Sequence, residues 1–69
     1  MEKIKRLMPQ MKVSAILYEE AMRIKHAKLN DSSLNNLSEQ VRMSFENNTP
    51  ISVLKIDRFV KGYWKHFNS

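Results

Sequence analysis

The chain is 69 residues long, carries a formal charge of +5 and has no cysteine. Disulfides and thiolate metal sites are therefore excluded, and a chain this short buries only about 60% of the surface its unfolded form exposes, which makes a second copy the natural way to enlarge the core. Residues 1–30 hold seven Lys or Arg against three acids and residues 51–69 hold four against one, around a mildly acidic centre; two basic ends point to a polyanion such as nucleic acid, or to an acidic protein or membrane surface.

In chain order, residues 1–8 read as a basic arm carrying Lys5 and Arg6, closed by Pro9, which cannot sit inside a helical hydrogen-bond ladder. The stretch after it, QMKVSA, has two periods. By twos, Met11, Val13 and Ala15 alternate with Gln10, Lys12 and Ser14 as in a half-buried strand. By threes and fours, Met11, Ala15, Tyr18 and Met22 share one face of a helix running from Gln10 to Leu29. Val13, the start at Pro9 and the clean alternation favour the strand.

From Leu17 the helical period is clear. Leu17, Ala21 and Ile24 form one stripe, Tyr18, Met22 and Leu29 the next, and the helix should end near Leu29. NDSS, residues 30–33, has the composition of a turn followed by a new helix cap. With no glycine in that turn, Asn30 or Asp31 would take the left-handed conformation. The second helix shows a narrow seam of Leu34, Leu37, Val41 and Phe45. Thr49 then offers a cap ahead of Pro50 at the first position of a third helix.

That third helix is the most sharply two-sided. Val53, Ile56, Phe59, Val60, Tyr63, Trp64 and Phe67 fall on one side, with Lys55, Arg58, Lys61 and Lys65 opposite. Gly62 weakens it by about 1 kcal/mol relative to alanine, which leaves fraying beyond Lys61 open. The sequence thus divides into a basic arm (1–8), a core (9–48) and a C-terminal amphipathic helix (49–69).

Catalysis has little to stand on. One glycine cannot build a phosphate loop, no serine has a histidine and an acid nearby in sequence, and His26 and His66 stand apart without carboxylates at ligand spacing. Glu19 and Glu20 diverge on a helix. We expect no enzyme, no metal and no cofactor. No apolar run approaches the ~20 residues of a membrane span, and MEKIKRLMPQ lacks the apolar core of a signal peptide, so the expected compartment is the cytoplasm.

Residues 9–46, a strand PQMKVSA, a helix ILYEEAMRIKHAKL, a turn NDSS and a helix LNNLSEQVRMSFEN, resemble the ribbon-helix-helix family of DNA-binding proteins, the MetJ and Arc type. The resemblance implies a mostly α fold with a homodimer: strands from two chains pair into a ribbon whose outer face enters the DNA major groove. It would place Gln10, Lys12 and Ser14 against bases, and Ser32 and Ser33, at a helix N-terminus, against a phosphate. Lys5, Arg6, Arg58, Lys61 and Lys65 would add phosphate contacts. Met11, Val13, Leu17, Leu34, Leu37, Val41 and Phe45 would form the dimer core. The implied function is a small transcriptional repressor, or a plasmid or phage accessory factor, binding double-stranded DNA. The alternative is an all-α three-helix module, an inhibitor or adaptor that binds a protein through residues 53–67; insertion of Trp64 and Phe67 at a membrane surface is a weaker use of the same helix.

Overall fold

The computed structural model describes residues 9–67. Its elements are β1 (Gln10–Met11), α1 (Ala15–Ala27), α2 (Ser32–Asn47), β2 (Ile51–Ser52) and α3 (Val53–Phe67), which make a small, mostly helical domain with one short antiparallel two-strand sheet. In the sheet Gln10 faces Ser52 and Met11 faces Ile51, and the pairing continues where the Val53 amide donates to the Pro9 carbonyl at 2.9 Å. Pro9, which has no amide to offer a ladder, sits at the start of this strand, one of the few places in a sheet that tolerate it.

Each helix start has a local cause. Ser14 is extended, and its hydroxyl accepts the Leu17 amide at 3.3 Å, satisfying one of the free donors of α1. Asp31 does the same for α2, its carboxylate accepting the Leu34 amide at 3.1 Å. The helix ends are closed by left-handed residues, Lys28 (φ 52°) after α1 and Asn48 (φ 55°) after α2. At the second closure the Asn48 amide reaches the Phe45 carbonyl and the Thr49 amide reaches that of Ser44, so two orphan carbonyls are satisfied.

Several expectations are corrected. The strand covers Gln10–Met11 rather than residues 9–15, because the Ser14 cap begins α1 at Ala15. For the same reason the continuous helix from Gln10 does not form. The helix expected over Leu17–Leu29 is shifted to Ala15–Ala27, and the left-handed residue is Lys28, not Asn30 or Asp31. The third helix starts at Val53 rather than Pro50, since Ile51 and Ser52 pair with β1 and Ser52 then accepts the Leu54 amide through its hydroxyl.

The core joins all five elements or their flanks: Val13, Ala21, Ile24, Leu34, Val41, Ile51, Ile56, Phe59 and Tyr63 are buried. Ile51 and three α3 side chains, Ile56, Phe59 and Tyr63, lie in the same core as Val13, Leu34 and Val41. Of the residues assigned to a dimer core, Val13, Leu34 and Val41 are buried within one chain; Leu17 and Leu37 are half-buried, and Met11 and Phe45 remain exposed.

Two polar or small residues decide how the helices meet. Ser38 is buried, and its hydroxyl donates to the Ala21 carbonyl of α1 at 2.9 Å. Gly62 lies where a Cβ would come within 2.7 Å of Leu34 Cδ1, so α3 packs on α2 at a distance that only glycine permits without movement. The helix continues through it to Phe67, with Tyr63 and Phe67 stacked at 4.8 Å.

Candidate nucleic-acid interface

α2 carries a polar stripe at three- and four-residue steps, Ser33, Asn36 and Gln40, which the helical period places on one face. α3 brings Lys55 and Arg58 alongside it. The two helices thus enclose a shallow groove lined by Ser32, Ser33, Asn36, Gln40, Lys55 and Arg58. Within it, the Lys55 ammonium donates to Gln40 Oε1 at 2.8 Å, and Gln40 Nε2 donates to Asn36 Oδ1 at 2.6 Å. The chain of bonds orients the amides and holds a cation at the rim.

Gln40 and Lys55 also line a second concavity, which continues past Ser44, Asn47 and Ser52 to Gln10 on β1. Neither concavity has a carboxylate in its lining. A surface that combines side-chain amides, hydroxyls and cations with no anion has the donor and acceptor types that read base edges and hold phosphates.

At its other end the groove opens toward Asp31, Arg58 and Lys65. Here the end of α1, the start of α2 and the end of α3 meet, because His66 Nε2 lies 3.0 Å from Asp31 Oδ2. The last turns of α1 and α3 supply Lys25, His26, Lys65 and His66, and Lys28 follows α1 directly. Cations at helix C-termini are favoured by the backbone dipole, so the sequence places them here for stability as well as charge. Asp31 is the one acid in this lining. The Leu34 amide, and then the His66 side chain, hold its carboxyl below the usual carboxylate range.

The residues expected to touch bases separate. Gln10 lines the groove. Lys12 lines a different depression with Val13, Phe45 and Thr49. Ser14 caps α1 with its hydroxyl oxygen. Of the residues expected at phosphates, Ser32, Ser33, Arg58 and Lys65 come together around the groove. Lys61 is turned away and pairs with Asp57 on its own helix at 3.1 Å. Lys5 and Arg6 lie outside the described residues. Lys55 was placed on the basic side of the third helix without a contact assigned to it, and Asn36 and Gln40 were not singled out from sequence, although the three- and four-residue steps from Ser33 to Asn36 to Gln40 were a legible signal.

Among the described residues, no group of three or more His, Cys, Asp or Glu is placed to hold a metal ion, and no helix is long and apolar enough to cross a membrane. Compared with known proteins, the chain matches no family model, no curated protein and no solved structure at a significant level.

Proposed function

We propose that this protein binds double-stranded DNA with sequence preference, as a small repressor or accessory DNA-binding factor, and that the α2–α3 groove is the surface it uses. The observation that carries this reading is the carboxylate-free run of amides and cations from Gln10 through Gln40 and Lys55 to Arg58. In this reading the basic end formed by Lys25, Lys28 and Lys65 holds the backbone, and Gln10, Asn36 and Gln40 face base edges. The protein's part is binding and no catalytic step is assigned to it. The ribbon-helix-helix form of the reading adds a second copy through β1, whose one edge is taken by β2 and whose opposite edge pairs with no other strand among the described residues.

The test is selection of a preferred site from random duplexes, followed by a salt titration of binding. Affinity should fall steeply with salt, because each phosphate contact releases counterions. Arg58→Ala and Lys55→Ala should weaken binding to all duplexes and each lower the salt slope by about one. Gln10→Ala should cost about 1–3 kcal/mol on the preferred site and relax preference at one position. Absence of binding to any duplex at low salt sinks the proposal.

A second reading, docking of a protein onto the third helix, is favoured by one observation. Val53, Leu54, Trp64 and Phe67 are all exposed there. An adaptor of this kind would show no affinity for random duplex DNA at moderate salt.

A further inference from the structure

We infer that the outer side of α3 is a two-fold contact between two copies of this chain, in which the helices pack antiparallel with the axis level with the turn between Asp57 and Lys61. The inference does not depend on DNA binding. It starts from four large apolar side chains that the single chain leaves uncovered on one helix: Val53 is 37% exposed, Leu54 44%, Trp64 48% and Phe67 38%. Single exposed apolar residues are ordinary on a protein surface, whereas a cluster on one element marks a contact.

The order of residues along this side identifies the occupant. Apolar residues stand at both ends and an ion pair, Asp57 with Lys61, stands between them. A two-fold axis between antiparallel helices exchanges the ends. Val53 then faces Trp64 of the second copy and Asp57 faces Lys61, with every contact made twice. The aspartate and lysine that pair within one helix can thus pair across the axis without a new group being added. A parallel arrangement would set Asp57 against Asp57 and Lys61 against Lys61. The surface is complementary to itself in charge and in shape class, and only in the antiparallel sense.

Lys55 and Arg58 line the groove with α2, and the helical period sets them about 100° or more around α3 from Asp57. The contact therefore leaves the groove open in each copy and is separate from the β1 edge.

The experiment is sedimentation equilibrium of the full chain across micromolar to millimolar concentration, read together with the emission of Trp64, the only tryptophan. Wild type should dimerise, with the emission moving to shorter wavelength as the indole is covered. Asp57→Lys and Lys61→Asp each place like charges in register across the axis, and each should weaken dimerisation about tenfold. Both positions are exposed, so circular dichroism should show an unchanged fold. An equimolar mixture of the two variants should recover the dimer as a heterodimer, and so should the double swap in one chain. Trp64→Ala should weaken it further than either charge variant. A chain that stays monomeric throughout overturns the inference. So does a dimer indifferent to the two charge variants, as a dimer built on the β1 edge or a parallel helix pair without this register would be.

Discussion

The contact of α1 with α2 and that of α2 with α3 are made by different means. The first is a hairpin with a short capped connection. A buried hydroxyl, Ser38, bonds to the Ala21 carbonyl, and Tyr18 stacks on Phe45 at 4.5 Å while donating to Glu46. The second relies on Gly62 meeting Leu34 and on Phe59, the largest fully buried side chain, with its polar groups left along an open groove. A buried directional bond fixes the first pair of helices, whereas in the second the buried contact is one of shape and the directional bonds, Lys55 to Gln40 and His66 to Asp31, lie at exposed positions.

That contrast can be broken most severely at Phe59. Phe59→Ala should cost about 3–5 kcal/mol in denaturant unfolding, through lost burial and the cavity left behind. A loss below about 1 kcal/mol would mean that α3 is not anchored as described.

Gly62→Ala sharpens the comparison through its sign. Alanine gains about 1 kcal/mol of helix propensity but its Cβ would come within 2.7 Å of Leu34 Cδ1, so the otherwise buried Leu34 side chain must move. The net effect should be a loss of about 1 kcal/mol. In a Leu34→Ala background the same change should become a gain of about 1 kcal/mol, because the obstacle is gone. The same sign in both backgrounds would disprove the close approach.

Ser38→Ala tests the directional side and should cost about 1 kcal/mol, the net value of one buried hydrogen bond. The smallest effect concerns Asp31, whose carboxyl is held low chiefly by the Leu34 amide and then by His66. A depressed carboxyl stabilises the fold above its unfolded value and loses that contribution as pH falls through the folded value. Asp31→Asn should therefore flatten the acid limb of the stability profile below about pH 4 and leave the neutral plateau slightly lowered. An unchanged acid limb would detach Asp31 from the helix start.

The periodic parts of the fold were legible from residue types. Ala21 and Ile24 on α1, Leu34 and Val41 on α2, and Ile56, Phe59 and Tyr63 on α3 all belong to expected apolar stripes and are all buried. What was not legible depends on partners distant in sequence. Ile51 and Ser52 look like the first turn of a helix after Thr49 and Pro50 until β1 supplies a pairing edge. Ser38 reads as a polar position on a polar helix, yet the Ala21 carbonyl gives it a buried acceptor. Gly62 reads as a weak point, and packing against Leu34 makes it a fit. In the groove, Arg58, Lys65, Ser32 and Ser33 were named from sequence, whereas Lys55 and Gln40 owe their place to the way α3 crosses α2. Lys61 was grouped with the other cations of α3, but its neighbour one turn earlier, Asp57, takes it as an ion-pair partner.

The pairing of Gln10–Met11 with Ile51–Ser52 has a consequence for the order of folding events. It joins the start of the described chain to the segment just ahead of α3 by a few backbone bonds, after both α1 and α2 have intervened. Closing so long a loop costs entropy that so short a ladder returns only once the helices already hold its ends together. The ribbon should be the last element to zip and the first to open, and its amides should exchange with solvent deuterium well before those of α2.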